Sequence, residues 1–186
     1  YIAIVISIKF GGAQMRNENV KVIVWGLGSM GKGMVELLLT KKGVDIVGAV
    51  ARGEKIGKSM YTYLDLEKGD KSDVIIGSFE DIITEKAADV VLLCTDSFTR
   101  EAFDRIKYVV ERKINVVTTA EEMAYPKAGE PELTKEMDRL AKENGVTVLG
   151  TGINPGLIMD LLVVTLTGAC YDVEHIVAKR VNNLSP

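Results

Sequence analysis

The stretch V-W-G-L-G-S-M-G-K-G, residues 24–33, carries the spacing G-x-G-x-x-G at Gly26, Gly28 and Gly31. It follows an apolar, β-branched run and opens a helical pattern, and in that context such glycines bind the pyrophosphate of a dinucleotide. The first glycine would permit a tight turn, the second a close approach of the pyrophosphate, and the third close packing of helix on strand.

The start of the helix that follows would complete this cradle, because its free N–H groups and the positive end of its dipole attract phosphate. The alternative is a packing turn in an α/β fold that binds no nucleotide. The predicted pyrophosphate-binding residues are Gly26, Gly28, Ser29, Met30 and Gly31.

Short apolar runs alternate with helical patterns along the rest of the chain, which predicts a parallel sheet covered on both faces. The fold class expected is therefore α/β: a Rossmann-type doubly wound parallel sheet, followed by the start of a second (α+β) domain. The predicted strands occupy residues 20–25, 44–50, 73–76, 88–94, 114–118 and 145–150.

Three helices of this fold are indicated by their apolar spacing. Pro131 suits the first turn of the third helix, and Gly145 suits its end. The first helix is predicted to bury Met30, Met34, Leu37 and Leu38, the second Ala102, Phe103, Ile106, Val109 and Val110, and the third Leu133, Met137, Leu140 and Ala141.

The last part of the sequence predicts a crossover into another domain. Asn154 and Pro155 suit the N-cap and first residue of a helix. Residues 157–166 are apolar almost all round, so we expect that helix to be buried between layers. A strand is predicted at residues 171–178. It would begin a domain that is mostly absent from these 186 residues.

The predicted domains are a NAD(P)-binding Rossmann domain at residues 15–155 and, at 156–186, the crossover helix and first strand of a truncated C-terminal domain. Residues 1–14 precede the first methionine and are interpreted as an appended or upstream extension. Their strong β character leaves an additional edge strand as the alternative.

Composition restricts the class of partner. A net charge of −3 gives no basic patch for nucleic acid, and no apolar run reaches the ~18 residues of a membrane span. Cys94 and Cys170 lie in apolar runs without metal-ligand spacing, which predicts buried, inert thiols and no metal. A reducing, cytoplasmic location is expected.

The end of the second predicted strand should distinguish NAD from NADP. Folds specific for NAD usually place an acidic residue there, on the ribose 2′-OH. Here Ala51 replaces that acid and Arg52 follows, with Lys55 and Lys58 nearby. Because arginine suits a 2′-phosphate, the sequence favours NADP over NAD. Alternatively, Arg52 is a solvated residue that stacks on adenine and tolerates both cofactors.

From about Val20 to Ala178 the chain resembles the dihydrodipicolinate reductase N-terminal family. The matching pieces are the glycine loop, G-A-V-A-R at 48–52, D-V-V-L-L-C-T at 89–95, V-V-T-T at 116–119, G-T-G-I at 150–153 and Y-D-V-E-H-I-V-A at 171–178. The resemblance implies a place beside the nicotinamide for Thr95, Thr118, Thr119, Gly150, Thr151, Gly152 and Ile153. Strand-end capping is the alternative role of the threonines.

The resemblance fails where that family carries its histidine-rich substrate-binding run. K-R-V-N-N stands there, at residues 179–183, and Asn183 lies about where the family has lysine. The sole histidine, His175, falls inside a predicted strand and is interpreted as a packed or edge residue. Dihydrodipicolinate reductase activity is therefore kept only as the alternative function.

A closer resemblance is to the 2,4-diaminopentanoate dehydrogenase family and its amine dehydrogenase relatives. It rests on V-I-V-W-G-L-G-S-M-G at 22–31, V-T-T-A-E-E-M-A-Y-P at 117–126 and G-T-G-I-N-P-G-L-I-M-D at 150–160. The resemblance implies oxidative deamination of an amino-acid-like small molecule, 2,4-diaminopentanoate, to 2-amino-4-oxopentanoate and ammonia. It also implies a homo-oligomer formed through the C-terminal domain.

The loop at 117–126 brings two carboxylates, Glu121 and Glu122, to the edge of the sheet where ligands bind. Hydride loss from an amine requires its neutral form, so a carboxylate there could orient the amine and accept its proton. Either residue is a candidate catalytic base. The alternatives are a solvated helix start at this position and a chain that binds NAD(P) without catalysis.

Overall fold

The computed structural model describes residues 17–179 and residue 181, so the predicted extension at 1–14 lies outside the described residues. Six parallel strands form one sheet in the order β3-β2-β1-β4-β5-β6. This order is that of the doubly wound Rossmann fold, and the predicted α/β fold class is confirmed. The strands are β1 (Val20–Trp25), β2 (Val44–Val50), β3 (Ile76–Gly77), β4 (Val90–Leu93), β5 (Asn115–Thr118) and β6 (Val148–Gly150).

Helices connect these strands and cover both faces of the sheet. Among the described residues, none of them is both long and apolar enough to cross a membrane. They are α1 (Ser29–Leu39), α2 (Met60–Leu64), α3 (Phe79–Ile82), α4 (Thr99–Val110), α5 (Pro126–Gly129), α6 (Pro131–Asn144) and α7 (Leu162–Thr167), with short 3₁₀ turns at Gly53–Lys55 and Glu121–Ala124.

Strand β1 shows why the sheet needs cover on both sides. Val22 and Val24 belong to the apolar cluster on one face, and Ile23 and Trp25 belong to the cluster on the other. All four side chains are buried, as expected for a central strand of a parallel sheet with its period of two. The continuous apolar run of the sequence therefore lies at the centre of the core.

Helices α4 and α6 pack as their spacing predicts. Pro131 occupies the first turn of α6, and Gly145 ends it with a left-handed backbone, φ 67°. The predicted α4 face is confirmed by the burial of Ala102, Ile106, Val109 and Val110, and the α6 face by that of Met137, Leu140 and Ala141.

The predicted buried face of α1 is partly wrong. Met30 and Leu37 are 57% and 52% exposed, and the side toward the sheet is formed by Gly31 and Val35. The cause is the close approach of Gly31 to the glycine loop, which turns Gly31 and Val35 toward the sheet. Met30 and Leu37, seven residues apart, therefore share a stripe that faces away from the sheet.

The C-terminal segment differs most from the prediction. Pro155 and Gly156 have non-helical backbone angles, so Pro155 does not begin a helix and Asn154 does not cap one at this position. Helical turns run through the rest of Ile153–Leu161 and continue into α7. Leu161 and Val164 are 60% and 69% exposed, so the described residues leave much of the apolar surface of this segment uncovered.

The strand predicted at residues 171–178 is not formed, and His175, expected as a packed or edge residue of that strand, is exposed. A strand needs a neighbour for its backbone N–H and C=O groups, and none of the described strands pairs with this segment. Its alternating pattern is therefore not expressed as a strand in the described part of the chain.

Candidate functional site: a cleft at the glycine loop

The glycine loop joins β1 to α1 at the point where the strand order reverses, which is where doubly wound sheets bind ligands. Gly26 has φ 101°, a left-handed value that favours glycine, and its N–H donates to Val50 O at 3.0 Å. A Cβ on Gly26 would lie 2.8 Å from Cys94 O. The loop is therefore locked between the ends of β2 and β4.

The other two glycines of the motif have different surroundings. A Cβ on Gly31 would lie 1.8 Å from Gly26 O, so the helix can approach the loop only with glycine there. A Cβ on Gly28 would meet nothing within 4 Å and would project into open space. That open space beside a helix start is what a cofactor pyrophosphate requires.

A cleft of about 410 Å³ lies beside this loop. Four predicted cofactor residues, Gly26, Gly28, Arg52 and Thr95, line it. Its full lining is Trp25, Gly26, Leu27, Gly28, Val50, Ala51, Arg52, Lys55, Cys94, Thr95, Asp96 and Arg105.

The remaining residues of the predicted cradle are outside this cleft. Ser29 lines an adjoining depression with Gly28 and Lys32. Met30 projects outward from α1, and Gly31 packs under the loop. Contacts of Ser29 and Met30 with a pyrophosphate therefore stay a prediction that rests on their backbone N–H groups.

Three cationic residues border the cleft. Arg52 is exposed just after the buried Ala51 at the end of β2, and the Lys55 ammonium lies 5.2 Å from the centre of the Tyr63 ring. Arg105 reaches the cleft from α4. The sequence indicated Arg52 and Lys55, because both follow the second predicted strand. It did not indicate Arg105, because the apolar spacing of that helix indicates only core packing.

Arg105 is fixed by an ion pair that the sequence did not reveal. Its Nη1 lies 2.7 Å from Asp96 Oδ2 and 2.8 Å from Asp96 Oδ1, and also donates to Glu101 O. The Asp96 side chain is only 10% exposed and additionally accepts from the Thr95 hydroxyl. Thr95 therefore contributes to the wall of the cleft through its contact with Asp96.

Cys94 lines the cleft but does not present a thiolate. Burial raises the pKa of its thiol, and a hydrogen bond with Thr119 offsets this only in part. A neutral thiol is a poor nucleophile, so covalent chemistry is not expected here. Cys170, expected to be buried, is exposed instead, because the segment around it has no packing partner among the described residues.

The predicted nicotinamide-side residues line up along the same edge of the sheet. Leu93, Thr118 and Gly150 are register partners at the ends of β4, β5 and β6. Thr118 is 1% exposed, and its Oγ1 accepts from the N–H of Ala120. Thr119 donates its N–H to Leu93 O. The capping role considered for Thr118 is thus present in the structure.

The loop after β6 lies beside these threonines. A Cβ on Gly150 would lie 2.0 Å from Met123 O, which explains glycine there. The Thr151 N–H donates to Thr118 O, and Ile153 is exposed. The cleft is not lined by Gly150, Thr151, Gly152 or Ile153. Contact of these four residues with a nicotinamide therefore stays a prediction.

The structure separates the two candidate carboxylates. Glu122 Oε2 accepts from the N–H of Thr99 at 2.9 Å, and the Glu122 N–H donates to Ser97 O at 3.1 Å. Glu122 thus caps the start of α4, where a carboxylate also complements the helix dipole. Glu121 is exposed, and no described side chain or backbone group pairs with its carboxylate.

The N-terminus of α4 supports a prediction about stability. Thr99 is fully buried, and its Oγ1 has no hydrogen-bond partner in the described part of the protein. Thr99→Val removes a desolvated hydroxyl without losing a bond, so it should raise the free energy of unfolding by about 1 kcal/mol. Chemical denaturation monitored by circular dichroism would measure this change.

Thr118→Val is the matched control, since that hydroxyl accepts the Ala120 N–H. Loss of this hydroxyl leaves the buried Ala120 N–H unpaired and should lower the free energy of unfolding by about 1–2 kcal/mol. A comparable loss of stability in the Thr99→Val and Thr118→Val variants would show that the Thr99 hydroxyl has a hydrogen-bond partner.

Within residues 17–179 and 181, no three His, Cys, Asp or Glu side chains are arranged to hold a metal ion.

Comparison with known proteins identifies the relatives of this chain. The 2,4-diaminopentanoate dehydrogenase from Acetoanaerobium sticklandii is 68% identical over 169 residues, which are 91% of this chain and 48% of the relative. The family model of the 2,4-diaminopentanoate dehydrogenase C-terminal domain matches residues 157–186. The chain thus spans about half the length of the curated relative.

Solved structures agree with this relationship. Amine dehydrogenase from Mycobacterium smegmatis superposes with a TM-score of 0.74 at 30% identity, covering 84% of this chain and 46% of that one. Scyllo-inositol dehydrogenase from Lactobacillus casei, solved with NAD(H), has a TM-score of 0.53 at 15% identity, covers 72% of this chain and 36% of that one, and shows only the shared fold. The chain is therefore a relative of 2,4-diaminopentanoate dehydrogenase, built on a Rossmann-type fold that it shares with amine dehydrogenase.

Proposed function

We propose that the full-length protein is an NAD(P)-dependent oxidoreductase that acts on a primary amine, with 2,4-diaminopentanoate as substrate. The observation that carries the proposal is the free, exposed carboxylate of Glu121, at the same edge of the sheet as the glycine cradle. The 68% identical relative supports the substrate, because its name specifies this amine.

The cleft fits a nicotinamide dinucleotide. Gly28 leaves space for the pyrophosphate, Gly26 and Gly31 keep the loop against α1, and Arg52 stands where the adenosine ribose would lie. The cofactor, when bound, would accept a hydride from the carbon that bears the amine. The protein's part is to bind it, orient it and manage the protons of the substrate.

Glu121 has the chemistry to manage those protons. An ammonium group has no lone pair with which to form the C=N bond, so it must first lose a proton. The ionised Glu121 carboxylate would accept that proton and stabilise the positive charge of the iminium. Glu122 would act as a positioning residue, because its hydrogen bonds tie the loop to α4.

The balanced reaction fixes what the site must handle. The ammonium form of the substrate, water and NAD(P)⁺ give 2-amino-4-oxopentanoate, an ammonium ion, NAD(P)H and one proton. The C4–H bond breaks with its electron pair, the C=N bond forms, and water then replaces nitrogen at C4. Water must therefore reach the substrate, which agrees with an exposed position for Glu121.

We also infer a two-domain organisation, with the Rossmann domain at residues 15–155 and a C-terminal domain that begins at 156–186. The support is that β6 ends at Gly150, while the C-terminal family model begins at residue 157. The exposed apolar residues of the last described segment agree with a surface that the rest of such a domain would cover.

The cofactor preference gives a prediction at Arg52. Arg52→Ala should weaken NADP binding by roughly 1–3 kcal/mol, the worth of a charge-assisted contact, and weaken NAD binding much less. Titration calorimetry with both cofactors would measure the two losses. Equal losses would show that Arg52 stacks on adenine instead of reading the 2′-phosphate, and a strong wild-type preference for NAD would overturn the NADP preference.

The function itself is tested with the full-length protein by following reduced nicotinamide. We expect 2,4-diaminopentanoate to reduce NAD(P)⁺ and release ammonia, and dihydrodipicolinate to cause negligible oxidation of NADPH. Faster turnover of dihydrodipicolinate would support the alternative reductase. Cofactor binding without turnover of any amine would indicate a binding module.

A further inference from the structure

Arg52 and Arg105 approach the cleft from opposite sides. Strands β2 and β4 both flank β1, so the residues that follow β2 and β4 border the glycine loop on its two sides. Arg52 follows β2, and the Asp96–Arg105 pair follows β4. With Lys55, the cleft has three cationic side chains against one carboxylate, an excess that favours an anionic ligand.

The ion pair leaves part of Arg105 available. Its contacts with Asp96 and with Glu101 O all use Nη1. In residues 17–179 and 181 nothing pairs with its Nε or Nη2. The Arg105 side chain is only 22% exposed and lines the cleft, so the ion pair holds its guanidinium in place there.

A guanidinium fixed at one nitrogen and free along another edge is suited to bind phosphate. Its donors lie in one plane and match two phosphate oxygens, and fixing the group beforehand lowers the entropy lost on binding. Lysine could pair with Asp96 equally well, but it could not offer that second edge.

We propose that Arg105, positioned by Asp96, is a specificity-determining residue that binds the 2′-phosphate of the cofactor from the α4 side, opposite Arg52. This inference rests on the proposed function, since it requires a dinucleotide in the cleft. It assigns Asp96 as a positioning residue that acts through Arg105.

The test uses two nucleotides that differ only in the phosphate: adenosine 2′,5′-bisphosphate and AMP. Their dissociation constants would be measured by calorimetry with the full-length protein. Arg105→Ala should weaken binding of the bisphosphate by about tenfold or more and change the dissociation constant of AMP by no more than about twofold. Arg105→Lys keeps the pair with Asp96 and the fold, and should lose most of the same affinity.

Arg100→Ala is the matched control, because Arg100 lies on the same helix, pairs with Glu130 and is not among the residues lining the cleft. It should leave both affinities unchanged. Wild-type affinity for the bisphosphate in both Arg105 variants, or equal losses for the two nucleotides, would overturn the role of Arg105 alone. A wild-type protein that binds neither nucleotide, nor NAD nor NADP, would overturn the proposed function as well.

Discussion

Replacing Glu121 with glutamine is expected to lower the turnover of 2,4-diaminopentanoate by about 100-fold or more and to leave NAD(P) affinity unchanged. The amide keeps the size of the side chain but cannot accept the proton of the ammonium group. Stopped-flow measurement of the reduced cofactor would show the loss of turnover, and cofactor titration would show the unchanged affinity.

Glu122→Gln is the matched control, since the neighbouring carboxylate bonds to the Thr99 N–H. An amide oxygen still accepts this bond, so turnover should fall only slightly. Glu122→Ala should instead destabilise the protein by about 1 kcal/mol through loss of the helix cap. If Glu122→Gln alone abolished turnover, the two roles would be reversed, and full activity in both glutamine variants would place the base elsewhere.

Substitutions in the glycine loop are expected to have the second large effect. Replacing Gly28 should abolish cofactor binding, whereas replacing Gly31 should destabilise the fold. Gly28→Val should fold, because a Cβ there meets no atom within 4 Å, yet it should lose measurable NAD(P) binding. Gly31→Ala should destabilise the protein by more than about 3 kcal/mol, since its Cβ would lie 1.8 Å from Gly26 O. Thermal denaturation and cofactor titration would separate the two outcomes.

Gly33→Ala controls for the substitution of glycine in α1. Its Cβ would meet no atom within 4 Å, so alanine should raise stability by about 0.5–1 kcal/mol through helix propensity. Unchanged cofactor affinity in Gly28→Val would contradict the cradle. A stable Gly31→Ala protein would contradict the close packing of α1 on the loop.

Local patterns were sufficient for the glycine loop and for five of the six strands, whereas the strand predicted at residues 73–76 overlaps β3 (Ile76–Gly77) only at Ile76. The run around Val24 is apolar because both faces of β1 are covered, and that requirement is visible in the sequence. Gly26 and Gly31 are required by the backbone itself, so their spacing indicates the turn directly. Ala51 and Arg52 could be placed because they follow a predicted strand.

Features that depend on tertiary contacts could not be predicted. Asp96 and Arg105 meet only because α4 begins beside the end of β4. Glu121 and Glu122 are identical in type and adjacent, and only the position of the α4 N-terminus distinguishes them. The prediction of a strand around His175 was wrong for the same reason. A strand forms only beside a pairing strand, and a local sequence pattern does not show whether one is present.

The proposed function requires that hydride pass from the carbon bearing the amine to the nicotinamide. The most direct measurement uses 2,4-diaminopentanoate labelled with deuterium at C4, the full-length protein and NAD(P)⁺, followed by mass spectrometry of both products. One deuterium is expected in the reduced cofactor and none at C4 of 2-amino-4-oxopentanoate. Ammonia release without deuterium in the cofactor would contradict the proposed function.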